Sequence, residues 1–300
     1  MATLTEPTPR SRSLIPARVA ALPWEWLGLA PFLAFAVLFL VLPASDLAIG
    51  SVQDQTGVFT LQNVGDLFQP FILRSYALTI EVSAVSALGG GLLGFLVAYA
   101  VVLGGLPGWV RTTFMTFSGV ASNFAGVPLA FAFIATLGHT GFLTALLKDW
   151  LGFDLYGGSF NLYTFWGLTL TYIYFQFPLM VLIIAPALDG LRREWREAAE
   201  SLGAQPAQYW RYVALPVLLP SLLGTMILLF GNAFGAYATA FALTGGTLNL
   251  VTIQIGAQIR GDVLHNPNLG YALAMGMVVI MGISIAGYSW LQQRSARWLR

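Results

Sequence analysis

The sequence predicts an all-α polytopic membrane protein with six transmembrane helices and both termini cytoplasmic. Three observations carry this prediction. The 300 residues are 57% hydrophobic and 9% charged, with a mean hydropathy of +0.74, far from the balance of a water-soluble chain. The apolar residues fall into runs at about 26–49, 76–103, 113–137, 163–187, 213–243 and 269–291, each long enough for a helix to cross a hydrocarbon core of about 30 Å. Positive charge is the third. With both ends inside, the cytoplasmic segments hold Arg10, Arg12, Arg18, Arg111, Arg192, Arg193, Arg196, Arg211, Arg294, Arg297 and Arg300, and the outer ones only Arg74, Lys148 and Arg260, the bias of inward-facing loops.

Each element follows from its residues. Positions 1–25, rich in Pro, Ser, Thr and Arg, read as a cytoplasmic tail. The run from Trp26 to Leu42 exceeds the apolar core of a cleaved secretory signal, roughly 7–15 residues, so residues 26–72 read as a retained first helix and an external loop. Barrel strands would alternate over about ten residues, and these runs are longer and uniformly apolar. Gly89, Gly90, Gly91 and Gly94 in the second run, Pro128 in the third, Pro178 in the fourth, and Gly231 and Gly235 in the fifth predict a tight bundle with bends. The fifth run is long enough to bend. Residues 293–300 read as a cytoplasmic tail, in which Arg294, Arg297, Arg300, Trp298 and the nearby Trp290 suit an interfacial anchor.

Composition also excludes functions. Fourteen Lys plus Arg against thirteen Asp plus Glu give no basic field for nucleic acid. The absence of cysteine removes disulfides, thiolate metal sites and cysteine nucleophiles. There is no Gly-x-x-x-x-Gly-Lys-Ser/Thr loop, so any nucleotide must be bound by another chain. No Gly-x-Ser-x-Gly elbow, His-Glu-x-x-His pair or paired intramembrane acid supports hydrolysis. Asp149 with His139 is the nearest approach to a catalytic cluster. His139 and His265, the two histidines, fall in external segments without partners at metal-ligand spacing, which predicts a surface role and no metal.

The most charged stretch, from Asp189 to Gly203, lies between the fourth and fifth runs and faces the cytoplasm. Residues 190–202 are good helix formers, and Arg193/Glu197 and Arg196/Glu200 are spaced four apart. Gly203 can end that helix in the left-handed conformation. Pro206 fits the first turn of a second helix, which carries Tyr209, Trp210 and Tyr212 toward the membrane. The expected product is a helix-turn-helix across the inner mouth of the bundle, over residues 188–212. An ordinary solvated loop with a helical turn is the plainer alternative.

Glu197-Ala198-Ala199, three residues, Gly203, nine residues, Val213, one residue and Leu215-Pro216 resemble the EAA loop of binding-protein-dependent ABC importer permeases. The resemblance extends over about residues 70–292. It implies a MetI-like, type I permease fold, with an ABC transmembrane domain at 73–292. It further implies that Glu197, Ala198, Ala199 and Gly203, with Leu215 and Pro216, couple to a cytoplasmic ATPase through a helix-in-groove contact. ATP and Mg would then sit on the partner, with no cofactor on this chain. The implied partners are two ABC ATPase subunits, a second permease and an extracytoplasmic solute-binding protein in a bacterial inner membrane. The stretches Tyr237 to Gly246, Asn249 to Ile255 and Asn268 to Met275 look like the spermidine/putrescine branch, which implies a heterodimer of permeases and a polyamine-like solute. Iron(III), thiamine and phosphonate are the alternatives.

An ionisable residue inside a span faces the bundle interior or water by default, which makes Glu81 the first candidate for a translocation path and suits a cationic solute. Wetting near the outer surface, or a structural pairing, is the other reading. Asn123, Gln176 and Asn232 are further path candidates, against interhelical hydrogen bonding as the alternative, and Tyr237 joins them. Tyr172, Tyr174, Phe175 and Phe177 could form a cation cage or serve as packing. A secondary transporter driven without ATP is the rival function. It predicts related halves, which are not evident, and leaves the charged cytoplasmic insert without a purpose.

Overall fold

The structure is a computed structural model that describes residues 24–158, 160–260 and 266–296. The readings that fall on residues 1–23 and 297–300 and on His265 lie outside the described residues, as do the side chains of Trp26 and Arg294.

The chain divides between Asp46 and Leu47 into two compact units. The first unit is helical, with α1 (Trp24–Ala36) running through one π turn (Val37–Val41) into α2 (Leu42–Ser51), whose end belongs to the second unit. Phe32, Phe35, Phe39 and Leu40 are exposed, as a lipid-facing span requires.

The second unit contains α3 (Gln62–Asp66), α4 (Pro70–Leu103), α5 (Gly108–Asn123), α6 (Gly126–Leu137), α7 (Phe142–Leu151) and α8 (Phe165–Asp189). It continues with α9 (Arg193–Ser201), α10 (Pro206–Tyr209), a π turn (Trp210–Ala214), α11 (Leu215–Phe234), α12 (Ala238–Thr244), α13 (Val251–Arg260) and α14 (Pro267–Ala296). Six helical segments among the described residues are long and apolar enough to cross a membrane. The fold is all-α and polytopic, as the sequence predicts.

Two of the predicted spans are interrupted. The third run was expected as one helix over 113–137, but α5 stops at Asn123 and α6 starts at Gly126, after an extended Ala125 (φ −137°, ψ −174°). Gly126 adopts φ +73°, a conformation that side chains with a Cβ resist. The fifth run breaks too, at residues 235–237 between α11 and α12. The second span starts earlier than expected, because Pro70 occupies the first turn of α4 and draws Arg74 into the helix.

The most extensive contact of the bundle among the described residues runs between α4 and α8. Ser83, Ala87, Gly90, Gly91, Gly94 and Ala98 form a buried small-residue strip on α4. A Cβ at Gly90 would lie 2.7 Å from Gln176 Cβ, and one at Gly94 would run into the Phe177 carbonyl oxygen. Toward the cytoplasm, Ala87, Ala98, Met180, Val181, Ile184, Leu188, Leu218 and Leu229 bury together. Toward the outside, Val82, Leu129, Leu168, Tyr172, Phe175, Ala233 and Leu243 do the same. The outer loop after α2 is fastened to the start of α14, where Asn268 Nδ2 donates to the Gln53 carbonyl at 2.7 Å. Within that loop Asp54 Oδ1 accepts from the Thr56 hydroxyl at 2.7 Å and from the Val58 N–H at 2.9 Å, and these bonds hold its carboxyl below the ordinary range.

Replacing Gly94 by Leu therefore forces α4 away from α8, at a cost of about 1–3 kcal/mol for overpacking. Thermal unfolding of the purified protein in detergent should show a lower midpoint for Gly94→Leu. Gly119→Ala, where a Cβ meets nothing within 4 Å, should leave the midpoint unchanged.

Candidate functional site

The charged cytoplasmic stretch folds as the sequence predicts. Asp189 ends α8 and pairs with Arg111 at the start of α5, which fixes the base of the loop. In α9, Glu194 sits in the first turn, where an acid suits the helix dipole. Arg196 Nε donates to Glu200 Oε1 at 2.8 Å, and this bond with the carboxylate charge raises the Arg196 pKa above its ordinary value. The expected Arg193–Glu197 pair is not among the ion pairs of the described residues. No side chain of α9 is buried, and Leu202 just beyond it is 88% exposed.

The reversal after α9 is a hydrogen-bonded cap. Gly203 N–H donates to the Glu200 carbonyl at 2.9 Å and Ala204 N–H to the Ala199 carbonyl at 3.0 Å, with Gly203 at φ +81°. This is the Schellman arrangement, which favours glycine at that position. Gln205 N–H is then capped by Gln208 Oε1 at 2.7 Å, and Pro206 opens α10. Tyr209 is buried, and Trp210 meets Tyr99 of α4 edge-on at 5.2 Å. Leu215 and Pro216 begin α11 directly after the π turn. Between α9 and the inner end of α4 lies a cleft of about 490 Å³ lined by Tyr99, Leu103, Arg192, Arg193, Arg196 and Glu197. An exposed helix rooted on α4, α8 and α11 can pass a displacement of its surface to the spans.

The predicted path residues are not gathered in one place. Glu81 is exposed on α4, on the face that also carries Arg74, Leu88 and Leu92. Asn232 is exposed on α11. Asn123 is exposed at the end of α5 and donates to the Gly119 carbonyl at 2.9 Å. Gln176 is fully buried and its Nε2 donates to Ser86 Oγ at 2.9 Å, while its Oε1 has no partner among the described residues. It fastens α8 to α4. The aromatic quartet is packing rather than an open cage. Tyr172 and Phe175 are buried 5.4 Å apart, and Tyr174 packs against Phe124 and Phe133. His139 is exposed and stacks on Tyr156 at 3.8 Å.

The two helix breaks meet each other. Gly126 N–H donates to Thr239 Oγ1 at 2.8 Å, joining the start of α6 to α12. The Tyr172 hydroxyl donates to the Ala236 carbonyl at 2.7 Å, supplying a partner for a group that the break in α11 releases. Tyr237, half-buried in this break, lies under the Arg260 guanidinium. Sequence reasoning had left Arg260 as one external charge; the repeat Thr252, Gly256, Arg260 on one helical face was the available signal.

Residues 90–300 match the family described as "Binding-protein-dependent transport system inner membrane component". The chain belongs to this family. Among curated relatives, the "Probable sulfate transport system permease protein cysT" of Nephroselmis olivacea is 28% identical over 96% of both chains. The "Sulfate transport system permease protein CysT" of Salmonella typhimurium is 28% identical over 75% of this chain and 76% of its own. In fold, the permease resembles a chain of a bacterial ABC transporter that imports the acidic polysaccharide alginate, with a TM-score of 0.71 at 16% identity over 90% of this chain and 95% of the other. It also resembles the MetNI methionine ABC transporter, with a TM-score of 0.53 at 19% identity over 74% and 95%. The permease is thus a multi-pass inner-membrane subunit of an ABC importer, a transport component rather than an enzyme, working with a binding protein and ATPase subunits.

A Cβ at Gly203 is strained in the left-handed region by about 1–2 kcal/mol. Gly203→Ala should speed tryptic cleavage at Arg196 and Arg211 in the purified permease, while the thermal midpoint of the bundle stays unchanged.

Proposed function

We propose that this permease forms half of the translocation path of an ATP-driven importer for a small inorganic oxyanion, with sulfate as the first candidate. The observation that carries the reading is the sulfate-permease relative that aligns over 96% of both chains. The polyamine reading rested on the sequence stretches between Tyr237 and Met275 and on Glu81, and the relatives lend it no support. A carboxylate exposed on α4 repels a dianion, so under the oxyanion reading Glu81 is no binding group. The α5–α6 break adds to the case, because discontinuous spans turn a half-helix N-terminus, with its positive partial charge, toward anions.

In this reading Glu197, Ala198, Ala199 and Gly203 dock on an ATPase subunit, and Leu215 and Pro216 carry the movement into α11. ATP and Mg are bound by the two ATPases, and this chain holds no cofactor. A second, non-identical permease faces this one, so that Asn123, Asn232 and Tyr237 line the path from one side and Gln176 supports it from the α4–α8 contact. The domain at 73–292 carries these functions, with the tails at 1–25 and 293–300 inside the cell and the first span and its loop at 26–72. Solute delivery outside and nucleotide state inside share one coupling free energy, so neither drives transport alone.

The test is uptake by the complete importer reconstituted in vesicles with ATP inside and loaded binding protein outside. Labelled sulfate should accumulate in an ATP-dependent way that excess sulfate suppresses and spermidine does not. Glu81→Gln should leave that uptake within about two-fold, as expected of a side chain that makes no contact with the ion. Saturable spermidine uptake in place of sulfate uptake would overturn the reading.

A further inference from the structure

Helix α13 carries Thr252, Gly256 and Arg260 at intervals of four residues, which places them on one face. That face meets Tyr237 in the break between α11 and α12. A Cβ on Gly256 would lie 3.1 Å from both Cε2 and the hydroxyl of Tyr237, so glycine admits the ring there. The Arg260 guanidinium stands 5.3 Å from the ring centroid, and Phe241 stacks on the same ring at 5.5 Å and 18°. Tyr237, Thr252, Gly256 and Arg260, with Gly235, Ile255, Ile259 and Met277, line a pocket of about 400 Å³.

Among the described residues the polar groups of this pocket have no hydrogen-bond or ion-pair partner. Arg260 takes part in no ion pair among the described residues. An arginine whose flat face covers a ring keeps its five N–H donors at the edge, where they suit a planar pair of oxygens. The Tyr237 hydroxyl lies beside Gly256 and takes no part in the hydrogen bonds of the described residues. Thr252 is 93% buried at 7% exposure, and its hydroxyl has no hydrogen-bond partner among the described residues. Burying a hydroxyl unpaired is costly, which is the mark of a site built for something else. Among the described residues no acidic side chain lines the pocket.

The pocket is also held in place. Val251 N–H donates to Thr79 Oγ1 at 3.0 Å, and Gln254 Nε2 donates to Ser75 Oγ at 2.6 Å, docking α13 on the outer part of α4. One wall is the broken span itself. An ion resting here would touch both the outer mouth and the break that the Tyr172 hydroxyl steadies.

We propose that Arg260, Tyr237 and Thr252 form an oxyanion subsite at the outer mouth of the permease, the first stop of the ion after the binding protein releases it. Arg260 supplies charge and paired donors, Tyr237 a hydroxyl donor, and Thr252 the polar floor. The identity of the ion rests on the oxyanion reading of the importer; the pocket and its donors do not.

The experiment measures labelled sulfate uptake by the reconstituted complete importer while the loaded binding protein is titrated. Arg260→Gln should lower the maximal rate about ten-fold, the loss expected for a charge-assisted hydrogen bond, and Arg260→Lys should recover part of it. Tyr237→Phe keeps the ring and removes only the hydroxyl, so it decides the matter should Arg260→Gln fail to fold in a thermal-unfolding control. It should lower the maximal rate several-fold. The half-saturating concentration of loaded binding protein should stay constant throughout. Unchanged maximal rates would overturn the subsite, and so would a loss cured by more binding protein, since that marks a docking contact. Wild-type importer that takes up no sulfate would overturn the oxyanion reading itself and the subsite with it, whereas normal wild-type uptake with indifferent variants removes the subsite alone.

Discussion

Helices in lipid gain no hydrophobic free energy by touching one another, so the close approach of α4 and α8 has to be carried by van der Waals contact and hydrogen bonding. The small residues from Ser83 to Ala98 supply the first, and the Gln176–Ser86 bond the second. Much of the second unit is hung on this pair. Residues of α5 and α11 pack on its inner half with Met115, Leu218 and Leu229, and those of α6 and α12 on its outer half with Leu129 and Leu243. Bulkier residues along α4 would move both the α9–α10 loop and the broken spans at once.

Breaking a helix inside a membrane releases backbone groups that no solvent satisfies. The permease meets this with side chains aimed at the gaps. Tyr172 serves the Ala236 carbonyl, Thr239 serves the Gly126 N–H, and Thr79 serves the first N–H of α13. The breaks are therefore maintained features with dedicated partners. Two of these partners sit on α4 and α8, so the rigid pair holds the irregular backbone in register.

How much of this was legible in the sequence depended on the kind of signal. The α9–α10 loop was readable because its chemistry is local: a charge-rich insert, helix formers at four-residue spacing, a glycine that must reverse the chain and a proline that must start a helix. The spans were readable as lengths of apolar residues. The bend of the fifth run was readable from its length and Gly235, but the α5–α6 break was not, because Phe124 and Ala125 are as apolar as the helices on either side, and hydropathy cannot see an interruption two residues long. Gln176 and Glu81 were ranked by their presence in a span, while their roles depend on which side of the helix faces a neighbour. Gln176 points into the α4–α8 contact and Glu81 away from it, a difference fixed by packing across a long sequence separation. Arg260 was overlooked because a lone arginine near an outer loop reads as a surface charge; only the fold brings it over Tyr237.

The distance between the two working ends sets what the protein must transmit. At 1.5 Å per residue the 25 residues of α8 extend about 37 Å, from the outer loops to Asp189 at the base of the α9–α10 loop. Its outer part holds the α11–α12 break through Tyr172, and its inner end is clamped to α5 through Arg111. A displacement of α9 thus reaches the outer break along one helix, in which Pro178 and Pro186 leave gaps in the backbone hydrogen-bond ladder where it can bend. Such a lever needs no separate signalling route. Tilting α8 against α4 would strain the inner clamp and the Tyr172–Ala236 bond together, and an ion held at the break would bias the same tilt from the other end.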